Sequence, residues 1–253
     1  MHLVFGYSSR VSALRSALPP PTDAALSPVS ANAQAILQPL SKQTFMNLEK
    51  LKRAEHLFLK RFPGGFTHPS MVAIGKKHKM DRMTALVQES FAKKKFRHTA
   101  DTLQALTKVV GSSSMVSVFE KPKFRNFVKG LEPKYQNALV SGLKEQLHGD
   151  EQKGFEKVLG VLQIDKLAKW SLISIVPVYF RPQIDVFVKP TTAKGVISYF
   201  ELDTLQYKPQ PSWAFYAEFR DRIEEMKNAV DATLSPNNAA FTGFLMMSLN
   251  PEI

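Results

Sequence analysis

From residue 46 onward, apolar side chains recur every three or four positions, the spacing of one face of a helix. Over Met46–Phe62 that face is Leu48, Leu51, Phe58 and Phe62, and Pro63-Gly64-Gly65 ends it. A short helical segment is predicted from Pro69 to Lys77. A longer one follows Asp81, with Met83, Leu86, Val87 and Phe91 aligned. Thr99 to Val110 aligns Leu103, Leu106 and Val110, and Gly111 supplies a stop before the loop Ser112-Ser113-Ser114. Lys121–Lys129 and Pro133–His148 read as two more helices, Pro133 suiting a first helical position and Gly149 a stop. Asp150 to Lys169 continues through Phe155, Val158, Leu159 and Leu162.

The pattern then changes. Leu172–Phe180 is β-branched and aromatic, and Asp185–Lys189 alternates, with Val186 and Val188 on one side and Phe187 on the other. These predict two short strands, Pro177 putting the first at an edge or a bend. Thr191–Leu202 reads as a helix and Tyr207–Pro211 as a loop. Ser212 caps a helix to Asp231 built on Tyr216, Phe219, Ile223, Met226 and Val230, and Ser235-Pro236 opens a last apolar helix through Phe241, Phe244, Leu245 and Met246. The expected fold is mainly α: a multi-helix globular domain with a small two-stranded β element late in the chain.

Residues 1–45 lack this periodicity. They are rich in Ser, Ala and Pro with one acid, Asp23, and read as a disordered or spurious extension. Arg10 and Arg15 among Ser, Ala and Leu also have the composition of an organellar transit peptide. Residues 46–253 are expected to form a single domain with a sub-boundary near Gly149.

Composition narrows the function classes. With no Cys in 253 residues, disulfide scaffolds, thiolate zinc sites and Cys nucleophiles are excluded, and a reducing, cytoplasmic setting is the expectation. No apolar run approaches the eighteen residues of a membrane span. The net charge of +12 is regional: residues 46–130 carry eighteen Lys/Arg against six acids, residues 131–253 thirteen against fifteen. A cationic half joined to a near-neutral one points to a polyanionic partner.

The cations form three clusters: Lys76, Lys77, Lys79 and Arg82; Lys93, Lys94, Lys95 and Arg97; Lys121, Lys123, Arg125 and Lys129. Several cations reaching one surface release counterions from a phosphate backbone, which makes DNA or RNA the candidate partner. Phe91, Phe96, Phe124 and Phe127 lie among them but at helical spacing, and read as core.

No histidine pair has the four-residue spacing of a helical metal site, so neither a metal nor a cofactor is expected. Asp165, Asp185 and Lys189 do not make a strand-borne nuclease centre, because Phe187 stands two before the lysine where an acid is needed. There is no Gly-Lys-Ser/Thr phosphate loop and no Gly-x-Ser-x-Gly elbow. Arg181 and Lys189 are candidates for a groove with Tyr207 and Trp213 at its mouth, the alternative being that both aromatics anchor the Pro-rich loop to the core.

The Val186–Thr192 segment, Tyr207, Pro211-Ser212-Trp213 and Leu234-Ser235-Pro236, over roughly residues 175 to 248, resemble a C-terminal arrangement of bacterial proteins that carries no assigned activity. The reading that follows is a non-catalytic nucleic-acid-binding or nucleoid-associated accessory protein. Two alternatives are a protein-interaction module docking through its C-terminal helices, and an enzyme with dispersed site residues.

Overall fold

The computed structural model describes residues 46–250. The expectations for residues 1–45 lie outside the described residues.

Eleven α-helices are present among the described residues: α1 Leu48–Arg61, α2 Pro69–His78, α3 Met80–Ser90, α4 Thr99–Ser112, α5 Glu120–Gly130, α6 Pro133–His148, α7 Glu151–Gln163, α8 Trp170–Phe180, α9 Pro190–Tyr199, α10 Trp213–Asn228 and α11 Asn238–Ser248. Their starts follow local chemistry. Asn47, Asp150, Ser212 and Asn237 accept from the backbone N–H three residues on, and Pro69, Pro133 and Pro190 take the first helical position. After α1, Gly64 and Gly65 turn the chain at φ 80 and 61, a left-handed region open to glycine.

The mainly helical fold is as expected, but no strand occurs among the described residues. Leu172–Phe180 belongs to helix α8, whose residues Trp170 to Tyr179 are all buried. A segment apolar all round gives no periodicity by which a buried helix can be told from a buried strand, and its β-branched content suggested the wrong one. Neighbours α3, α4, α6 and α7 surround α8, so no face of it is wet.

Asp185–Lys189, the second expected strand, has no regular structure and no partner strand among the described residues. Side chains replace the ladder: Ser174 Oγ accepts from Val188 N at 3.1 Å while donating to Trp170 O, and Asn238 Nδ2 donates to the Asp185 carbonyl at 3.1 Å. These bonds satisfy backbone groups that would otherwise be buried unpaired.

Several boundaries also differ: α7 stops at Gln163, short of the expected Lys169, and the chain turns through Lys166 at φ 55, while α9 and α10 end before Leu202 and Asp231. Helix α4 runs through Gly111 to Ser112, and α11 is capped by Asn237, with Ser235-Pro236 left in the preceding turn. Across Gly149, α6 and α7 pack closely because Gly154 has no side chain; a Cβ there would lie 2.0 Å from the Gln146 nitrogen.

Candidate nucleic-acid interface

Lys79, left-handed at φ 54, is the single residue joining α2 to α3. Lys76 and Lys77 end α2, where cations complement the helix dipole, and Arg82 lies in the first turn of α3. All four are exposed. His78 Nδ1 bonds Ser114 Oγ at 2.9 Å, which brings this corner against the loop between α4 and α5. That loop leads directly into the third cluster.

In α5, Phe124, Phe127 and Val128 face the core. At about 100° per residue, Lys121, Arg125 and Lys129 then form a stripe along one flank, with Lys123 on the other. Glu120, the acid among them, is turned aside: its Oε2 accepts from Ser171 Oγ at 2.8 Å. The elements carrying the first and third clusters are thus joined through one hydrogen bond.

The second is not. Lys93, Lys94, Lys95 and Arg97 occupy a 3₁₀ turn beyond the far end of α3, an eleven-residue helix spanning about 16 Å. Of the twelve cations only Lys121 is less than fully exposed, and none takes part in an ion pair or cation–ring contact among the described residues. Phe91, Phe124 and Phe127 are buried and Phe96 packs on Phe91, so the four rings belong to the core.

The proposed groove residues go different ways. Arg181 is engaged in ion pairs with Glu151 and Asp185, both at 2.6 Å. Trp213 packs on Phe155 and Tyr216, with Arg220 5.7 Å from its ring centre. Tyr207 rests on Phe215, burial raising its phenol, and Lys189 is exposed before α9. The two aromatics hold the loop before α10 against the core.

Arg181 belongs instead to a charge cluster that sequence reasoning missed. Arg220 Nη1 reaches Glu151 Oε2 at 2.7 Å and Asp185 Oδ1 at 3.4 Å, and the Tyr216 hydroxyl donates to Asp185 Oδ1 at 3.0 Å. Asp185 has a side chain only 1% exposed, so its charge is sustained by these partners. Burial pushes against ionisation of Glu151, but the hydrogen bonds and charges of Arg220 and Arg181 outweigh it and hold its carboxyl below the usual range. Burial, then the charge of Asp185, drives the Tyr216 phenol well above its ordinary value. Two guanidiniums against two carboxylates make a balanced, occupied cluster joining α7, the segment after α8, and α10.

A cavity of about 180 Å3 lies among α1, Tyr199 and the end of α11, lined by Phe58, Phe62 and Met247 with Arg53 and Arg61, and contains none of the expected site residues. Among the described residues, no three His, Asp or Glu side chains gather where they could hold a metal ion, and no helix is long and apolar enough to cross a membrane. Comparison with family models, curated proteins and solved structures returned no match.

One further feature escaped the sequence reading. Val118 and Phe119, immediately before α5, are 70% and 77% exposed, the highest values among the large apolar side chains of the described residues.

Proposed function

We propose that this chain is a non-catalytic nucleic-acid-binding accessory protein, and that the α2–α3 corner and the start of α5 carry the phosphate contacts. The observation that supports this most is the His78–Ser114 hydrogen bond, which ties the corner bearing Lys76, Lys77, Lys79 and Arg82 to the loop leading into Lys121, Lys123 and Arg125, none of them neutralised by a carboxylate in an ion pair among the described residues. Asp81 and Glu120 lie among these cations in sequence, but neither forms an ion pair with them, whereas Lys227–Glu224 and Lys153–Asp150 are paired elsewhere. Unneutralised cations on one surface are what a phosphate backbone recognises, whatever its sequence.

A protein partner has less to hold. The apolar faces of α10 and α11 are turned inward, with Phe219, Ile223, Met226, Phe241, Phe244 and Leu245 buried, so docking there would require opening the core.

The test is a titration of labelled DNA and RNA oligonucleotides with the wild type, Lys77→Glu/Lys123→Glu and Lys94→Glu. The first variant is expected to weaken binding at least about tenfold on every oligonucleotide, since phosphate contacts carry no sequence information. Lys94→Glu, at the other end of α3, is expected to do less. A wild type that binds nothing at low salt, or a Lys77→Glu/Lys123→Glu protein that binds as tightly as the wild type, contradicts the reading.

A further inference from the structure

Val118 and Phe119 are not loose. Their loop is pinned to the core on both sides: Ser113 is fully buried, its Oγ within 3.1 Å of the Tyr179 hydroxyl and accepting from Met115 N, and Val116 is 3% exposed. Ser117 then shapes the turn into α5, its carbonyl accepting from Glu120 N at 3.0 Å and its Oγ from Phe119 N at 3.3 Å. Ser171 holds Glu120 by its carboxylate. An aromatic ring and a branched side chain are therefore presented to solvent from a hydrogen-bonded support, beside the corner that His78 ties to this same loop.

Helical phase explains why Phe119 cannot turn inward. Counting back from Phe124, it falls on the opposite side of the α5 direction from Phe124, Phe127 and Val128. A ring held in water one helical turn from Lys123 has the chemistry of a stacking platform: unpaired bases lay their faces on it while lysine follows the phosphates. A duplex offers no such face, because its bases are stacked on one another.

We infer that Phe119, with Val118 beside it and Lys123 one helical turn on, is a base-stacking site that makes this protein select single-stranded over double-stranded nucleic acid. The inference rests on the nucleic-acid-binding reading above and goes further, to the strandedness of the ligand.

The experiment is fluorescence anisotropy of the full chain with a labelled twenty-nucleotide oligothymidine and a twenty-base-pair duplex. The wild type is expected to prefer the single strand. Phe119→Ala should raise its Kd for the single strand by about tenfold and leave duplex binding unchanged, while Phe119→Trp retains the preference. Because Phe119 is exposed, both variants should melt as the wild type does.

If Phe119→Ala leaves single-strand binding unchanged, or weakens both ligands equally, while Lys77→Glu/Lys123→Glu still weakens both, stacking is overturned and the phosphate-binding face stands. If the wild type binds neither oligonucleotide, both fall together. Phe119-dependent binding to vesicles containing phosphatidylserine, without oligonucleotide binding, would assign the exposed pair to a membrane surface and overturn the proposal.

Discussion

Tyr216 donates its hydroxyl hydrogen to Asp185 Oδ1 across 3.0 Å of protein interior, and the two residues come from different parts of the fold, α10 and the segment after α8. The carboxylate is also held by Arg181 at 2.6 Å, so its charge is compensated and hydrogen-bonded. Removing the carboxylate leaves two partly buried guanidiniums to share Glu151 alone and the Tyr216 hydroxyl without its acceptor. Asp185→Ala is expected to destabilise the fold by about 3 to 5 kcal/mol, the range for breaking one partner out of a buried pair, and Tyr216→Phe by about 1.5 to 3 kcal/mol. Urea denaturation followed by circular dichroism checks both; a loss under 1 kcal/mol for Asp185→Ala would mean that solvent reaches the cluster.

The pH dependence at the acid end follows from Glu151. Its folded carboxyl sits below its unfolded value, so its contribution is present above the unfolded pKa of about 4.3 and is lost as pH falls through the folded value. Stability should decline below about pH 4.3, and Glu151→Gln should flatten that limb while lowering stability at neutral pH. Thermal melts of the two proteins between pH 3 and 7 give the comparison, and parallel curves would rule Glu151 out as the titrating group.

The alkaline limb has the opposite origin. Tyr216 is raised, so its contribution is complete below the unfolded pKa of about 10 and is lost as pH climbs toward the folded value. Stability should fall above about pH 10, and less steeply in Tyr216→Phe. Equal steepness in denaturation at pH 9 and 11 would exclude this residue as the cause.

Glycines in the α6–α7 pair separate two kinds of role. At Gly154 a Cβ would sit 2.0 Å from the Gln146 nitrogen, so Gly154→Ala must push the helices apart, with an expected loss of at least about 2 kcal/mol from overpacking. Gly160, exposed in the same helix, has nothing within 4 Å of its Cβ position. Gly160→Ala should stabilise by about 0.5 to 1 kcal/mol through helix propensity. Chemical denaturation of both variants suffices, and a neutral Gly154→Ala would mean that α6 and α7 tolerate wider spacing.

Much of the helical order was legible because most helices are amphipathic and end at recognisable residues. Pro133 and Gly149 bracket α6, and Ser212 caps α10 as its spacing implies. What failed was α8. Buried on every side, it has no polar face to set a period, and Val, Ile and Tyr in a run favour strand by local preference alone. The Asp185–Lys189 segment reads as a strand and is not one; its backbone is satisfied instead by Ser174 and Asn238, 14 and 53 residues from the groups they bond.

The site divides in the same way. Lysine clustering is visible in sequence, but which clusters are tied together depends on His78 reaching Ser114, a contact 36 residues apart. Arg181 was noticed for its charge and assigned to a groove, whereas it is paired with Asp185 four residues on and with Glu151, 30 residues back at the start of α7. Phe119 left a signal that was not used: it lies out of phase with Phe124 and Phe127, which a helical projection of α5 exposes at once.

The salt dependence of binding tests the central claim most directly. With the full wild-type chain and a labelled single strand, Kd measured from 50 to 400 mM KCl should give a slope of log affinity against log salt of roughly −3 to −5, as expected for five to seven phosphate contacts at about −0.7 each. Lys77→Glu/Lys123→Glu should flatten it by at least about 1. A slope near zero, or no binding at 50 mM, would mean that the cationic face around His78 and Ser114 does not hold a nucleic acid.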